Sequence, residues 1–134
     1  MSLRPARALP RFAALSLAAL SLAALAACKP GVEAPTAQGV CWQMIEAKGR
    51  PPRFAKVADH VPRLENCMGN LEAIRSEMLR AGGSRSVLKG AYQGRFIAVR
   101  PDGIYSSTRY GGDEYIALVR SGDGRLVMPG ALPQ

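Results

Sequence analysis

His60 is the only histidine of the 134-residue chain. Acid–base or nucleophilic chemistry of the Ser-His-Asp kind would have to run through it. Ser84, Ser106 and Ser107 could partner it, but no Gly-x-Ser-x-Gly elbow is present. Asp59 directly before His60 reads as a helix-start signal rather than an orienting acid. Asp102, Asp113, Glu114 and Asp123 fall at turns and lack calcium-loop spacing, and a single histidine does not make a zinc set. Gly82-Gly83-Ser84-Arg85-Ser86 offers backbone N–H groups to an anion. It follows a helical stretch, whereas a phosphate loop precedes one, and it carries no Gly-Lys-Ser/Thr. The expectation is therefore no catalytic residue, no metal site and no cofactor. What remains are residues suited to contact. Tyr105, Arg109 and Tyr110 form the candidate interaction patch, since Tyr and Arg are enriched where proteins touch partners.

The elements that must position these residues are legible in part. Pro62 to Arg80 repeats apolar residues at three-and-four spacing, with Leu64, Cys67, Met68, Leu71, Ile74 and Met78 on one face. Glu65 near its start and Arg80 near its end suit the helix dipole, and Gly82 is a natural stop. Gly69 inside the helix is expected to allow close packing on a strand. Gly39 to Glu46 reads as a first strand, Lys48 to Arg53 as a loop and Phe54 to Ala58 as a second strand. From Val87 onward the pattern changes. Gly94–Arg100, Ile104–Arg109, Asp113–Arg120 and Arg125–Met128 are short runs separated by Pro101-Asp102-Gly103, Gly111-Gly112 and Ser121-Gly122-Asp123-Gly124. Such spacing predicts an antiparallel meander. In the second of these runs Ile104, Ser106 and Thr108 share one side, and Tyr105, Ser107 and Arg109 the other.

The N-terminus has a different character. Arg4, Arg7 and Arg11 precede Phe12–Ala27, which contains only Leu, Ala, Phe and Ser. A charged start, an apolar stretch and small residues at its end make an export signal. The stretch is shorter than the roughly 20 apolar residues that span a bilayer. It ends in Leu25-Ala26-Ala27-Cys28, which resembles the lipobox of bacterial lipoproteins. The resemblance implies cleavage before Cys28, a diacylglyceryl thioether on that residue and acylation, as by palmitate, of its new amino group. More than one acyl chain matters, because one alone binds a bilayer only marginally. Lys29 follows, where an Asp would favour inner-membrane retention by the enteric sorting rule. The resemblance thus implies the outer membrane, facing the periplasm.

Residues 1–27 are accordingly read as a removed signal peptide, 28–38 as a lipidated N-terminus and flexible tether, and 39–134 as one small domain. With Cys28 lipidated, Cys41 and Cys67 remain, and an even number in an oxidising compartment reads as a disulfide. The expected fold class is α+β: one amphipathic helix on an antiparallel meander sheet of four to six strands, stapled by that bridge. The sheet face away from the helix, rich in Ser, Thr, Arg and Tyr, is expected to be wet. All ten acidic residues but only 15 of the 18 basic ones lie beyond the leader, so the mature chain is basic. Its charges are scattered apart from Lys48, Arg50 and Arg53. Export argues against nucleic acid and for envelope material. The expected function is a non-catalytic interaction or assembly factor of the cell envelope, held to the membrane through Cys28. Its partner would be an envelope protein or an anionic envelope polymer. The alternative is a small-ligand or polymer-binding lipoprotein, or a minor hydrolase, with a pocket lined by Tyr105, Arg109 and Tyr115 and His60 nearby.

Overall fold

The computed structural model describes residues 31–84 and 87–131. The expected leader, the lipidation expected at Cys28, and Arg85 and Ser86 of the glycine-rich loop lie outside the described residues. The elements are β1 (Cys41–Ala47), β2 (Arg50–Ala58), α1 (Leu64–Arg80), β3 (Leu88–Tyr92), β4 (Arg95–Val99), β5 (Gly103–Ser107), β6 (Tyr115–Arg120) and β7 (Leu126–Val127). The strands form one sheet in the order β2-β1-β3-β4-β5-β6-β7, with every neighbouring pair antiparallel. The fold is α+β, with seven strands rather than four to six. The additional strand is β3, Leu-Lys-Gly-Ala-Tyr. Apart from Lys89 its residues are buried on both faces, so it carries no sustained apolar–polar alternation, and Gly90 is a poor strand former.

The helix keeps the apolar face that its sequence predicts. Cys67, Met68 and Leu71 are fully buried, and Leu64, Ile74 and Met78 pack at the margin. They meet Leu88, Tyr92, Ile97, Val99, Ile104 and Leu118 on one side of the sheet. The disulfide Cys41–Cys67 joins the first strand to the helix, with Cα atoms 5.3 Å apart. The close approach predicted at Gly69 occurs instead at Gly90. Gly69 is exposed, with open space where a Cβ would stand. At Gly90 a Cβ would lie 2.5 Å from Leu71 Cδ1 and 2.5 Å from the Trp42 carbonyl oxygen. The glycine that lets helix and sheet meet is in the strand.

Both ends of the helix refine the expected signals. The N-cap is Arg63, in extended conformation and without a side-chain cap. Asp59 is not a cap; it pairs with Lys56 at 2.8 Å. At the other end Gly82 is left-handed, with φ of 83°, and the Gly83 N–H donates to the Met78 carbonyl at 2.9 Å, the glycine stop that was expected. A polar clip fixes the helix to the far half of the sheet. Arg120 of β6 reaches Glu72 Oε1 at 2.9 Å and donates to the carbonyls of Pro101 at 2.8 Å and Arg100 at 3.1 Å.

Two further expectations are corrected. The loop predicted over Lys48–Arg53 shrinks to a tight turn at Lys48-Gly49, because Arg50–Arg53 already belong to β2. Pro51 and Pro52 are tolerated there because β2 is an edge strand. The sheet face away from the helix is not simply wet. Ala34, Met44, Ala91 and Phe96 are buried on it, with Val32, Trp42 and Phe54 packed around them. The covering element is the stretch read from composition as tether. Its described residues, 31–38, have no regular structure, yet Ala34 is buried in this second cluster, and the Gly94 N–H donates to the Pro35 carbonyl at 2.9 Å. A linker-like composition does not prevent burial when small and apolar residues meet a bare sheet face.

Candidate functional site

Strand register builds a cavity on the sheet face opposite the helix. Met44 of β1 stands opposite Lys89 of β3, Lys89 opposite Ala98 of β4, and Ala98 opposite Tyr105 of β5. Directly opposed residues of antiparallel strands share a face. Ala98 is thus the small member of a row between Lys89 and Tyr105. One step along, Phe96 stands opposite Ser107. The β5–β6 connection brings Tyr110, Gly111 and Glu114 to the same place, which leaves a cavity of about 210 Å³.

Its polar rim is internally paired. Lys89 Nζ contacts Glu46 Oε1 at 2.9 Å, and the Tyr110 hydroxyl donates to the same oxygen at 2.5 Å. Lys89 also lies 5.6 Å from the centre of the Tyr110 ring, a cation–π distance. Tyr110 in turn packs on Phe96, with ring centres 5.8 Å apart and a tilt of 55°. Across the cavity, Arg100 binds Glu114 at 2.5 Å and sits 4.7 Å from the Tyr105 ring centre. The Tyr105 hydroxyl donates to Asp102 at 2.6 Å. Ser107 Oγ donates to the Arg109 carbonyl at 3.0 Å.

These contacts set the titration behaviour. Hydrogen bonding to Glu46 holds the Tyr110 phenol above its ordinary value, with burial and the carboxylate charge adding to it. Hydrogen bonding to Asp102 does the same for Tyr105. Asp102 moves the other way, held below its ordinary value chiefly by the Tyr105 hydroxyl. Both phenols stay protonated at neutral pH, with their protons committed to carboxylates. The arrangement supplies aromatic surface and fixed dipoles.

Of the residues singled out in the sequence, Tyr105 and Tyr110 line the cavity. Arg109 lines an adjoining shallow groove together with Phe96, Tyr110, Thr108 and the segment Gly31–Ala34. Arg109 is exposed and has no ion-pair partner among the described residues. Tyr115 is 68% exposed and lines neither depression, and His60 lies in the β2–α1 connection against Gly39. Of the pocket expected from Tyr105, Arg109 and Tyr115 with His60 nearby, Tyr105 lines the cavity and Arg109 the adjoining groove, whereas Tyr115 and His60 line neither. Lys89, Glu46, Phe96 and Ala98 are brought in by the β1–β3–β4 pairing, which a single sequence does not display. Ser106 Oγ and Trp42 Nε1 are buried without a hydrogen-bond partner among the described residues, and neither lines the cavity. Among the described residues no cluster of three or more His, Cys, Asp or Glu side chains could hold a metal ion. Nor is any described helix long and apolar enough to cross a membrane. No protein-family model, curated protein or solved structure gives a significant match to this chain.

Proposed function

We propose that the chain is an exported lipoprotein of the cell envelope, anchored through Cys28, and that its domain is a non-catalytic interaction or assembly factor working through the sheet face opposite the helix. The anchor rests on the lipobox resemblance at Leu25–Cys28. The disulfide accords with an oxidising compartment. The observation that carries the binding role is the preformed cavity between Phe96, Tyr105 and Tyr110, bordered by the exposed Arg109. Its polar groups are paired with one another, so it offers contact surface rather than a reactive group. Tethering on a membrane raises the effective concentration of such a surface for its neighbours.

The test is crosslinking in cells followed by capture from detergent-solubilised membranes and mass spectrometry. One dominant companion is expected, lost when Arg109 and Tyr110 are both replaced by Ala. Cys28→Ala is expected to release the protein from membranes. A companion that persists in the double variant would refute the role of this face. Membrane retention of a normally cleaved Cys28→Ala protein would refute the anchor.

A further inference from the structure

The cavity and the groove beside it specify what the partner must present. We infer that the cavity receives one neutral aromatic side chain, Phe or Tyr, from a partner protein, whose neighbouring backbone continues along the groove past Arg109. The inference rests on the binding role proposed above and adds the chemistry of the anchor.

Size is the first argument. Taken apart from the groove of about 560 Å³ that continues from it, the cavity of about 210 Å³ falls below the roughly 300–1,000 Å³ of sites for drug-sized ligands. Cavities of about 150 Å³ already hold a benzene ring, so one aromatic side chain is the matching occupant. Its origin is equally specific. Ala98 is the small residue in a row whose immediate neighbours are Lys89 and Tyr105, and Ala98 is itself buried. Because its side chain stops at Cβ, Ala98 leaves open part of the space that it lines.

Charge is the second argument. The lining contains one cation, Lys89, and one anion, Glu114. Each is neutralised by a partner that does not line the cavity, Glu46 for Lys89 and Arg100 for Glu114. A charged occupant would lose its hydration without finding an uncommitted counter-charge in the cavity lining, which burial penalises heavily. A neutral ring meets no such penalty. It meets Phe96, Tyr105 and Tyr110, rings that can receive another edge-on or offset.

Continuity is the third argument, and it favours a side chain over a free ring. Phe96 and Tyr110 line both the cavity and the groove. A chain whose anchor enters the cavity can therefore pass directly into the groove. There Arg109 can donate to its carbonyl oxygens, as arginines do at contact surfaces.

The test uses capped amino-acid amides on the full domain, followed by the amide resonances of Ala98, Ser107 and Gly111. N-acetyl-phenylalaninamide and N-acetyl-tyrosinamide should shift these resonances with a Kd on the order of 1 mM, as expected for so few heavy atoms. N-acetyl-lysinamide and N-acetyl-glutamic amide should not. Ala98→Leu should weaken the aromatic amides at least tenfold while the resonances of α1 stay in place. Should Ala98→Leu fail to fold, Ala98→Val applies the same block with less added volume. Equal binding of the charged amides, undiminished binding to a folded Ala98 variant, or no binding by the aromatic amides would each overturn the inference. The crosslinked companion separates this failure from that of the binding role. A companion lost on replacing Arg109 and Tyr110 but retained in Ala98→Leu would leave the binding face standing and remove the anchor from it.

Discussion

Gly90→Ala should be among the most damaging single-atom additions to this domain. Its Cβ would stand 2.5 Å from Leu71 Cδ1, 3.0 Å from Leu71 Cδ2 and 2.5 Å from the Trp42 carbonyl oxygen. Carbon atoms in contact prefer about 3.5–4.0 Å, so the overlap with Leu71 is about 1 Å. Leu71 is fully buried and cannot swing into solvent, so it must leave its rotamer or lift the helix. The second obstacle is harder. Trp42 is a backbone partner in the β1–β3 ladder, and its carbonyl cannot retreat without disturbing that pairing. Overpacking a core typically costs about 1–3 kcal/mol; a clash with backbone places this site at the upper end, about 3 kcal/mol. For a domain of this size each kcal/mol lowers Tm by several degrees, so a fall of about 10 °C or more is expected. Thermal and urea unfolding of the oxidised protein, followed by far-ultraviolet circular dichroism, would measure it. Two controls sharpen the reading. Gly69→Ala, in an exposed helix interior with open space around it, should stabilise by up to about 1 kcal/mol. Leu71→Ala alone should cost about 2–5 kcal/mol, but less in the Gly90→Ala background, with a coupling of at least about 1 kcal/mol. A neutral Gly90→Ala, or strict additivity with Leu71→Ala, would refute the close helix–sheet approach.

The disulfide and the Tyr105–Asp102 contact give two further tests. Cys41→Ser opens a loop of 26 residues' separation and should lower stability by about 3.5 kcal/mol on the chain-entropy estimate; an unchanged unfolding midpoint would show that the bridge contributes nothing. Asp102 should titrate below the ordinary 3.8. Because its folded value is depressed, its contribution to stability is present above the unfolded value and is lost as pH falls through the lower folded value. Tyr105→Phe should move the Asp102 carboxyl resonance back up toward the ordinary value, and no movement would exclude the hydroxyl as the cause.

Much of the half of the fold that holds the helix is legible in the chain, because a half-buried helix must display its face at regular spacing. Leu64 through Met78 do so, and the two cysteines meet where the β1 and α1 patterns place them. The outer strands and their Gly-rich turns are legible for the same reason. β3 is not, since a strand buried on both sides but for Lys89 has no sustained alternation, and Gly90 answers to its neighbour Leu71 rather than to any local preference. The same limit applies to the cavity. Tyr105 and Tyr110 stand out by residue type, whereas Lys89 and Glu46 become partners only through a pairing 43 residues apart in the chain. Ala98 is still less visible, because its role is the volume it leaves empty. The cover over the second cluster escapes for a different reason: Val32, Ala34 and Pro35 have linker composition, and only the bare face beneath them makes burial favourable.

That cover also decides where a pull on the N-terminal side of the domain is first felt. Tension applied at Gly31 does not enter the sheet directly. It acts on Val32 and Ala34 against the Trp42–Phe96 cluster, on the backbone bond from Gly94 to Pro35, and then on that from Val61 to Gly39. These contacts lie in series before Cys41, where the bridge to Cys67 hands the load to the helix and the ladders to β2 and β3 share it. A peeling geometry thus comes first and a shearing one second. The groove walled by Gly31–Ala34 is the part of the molecule that force would reshape while the seven strands remain intact.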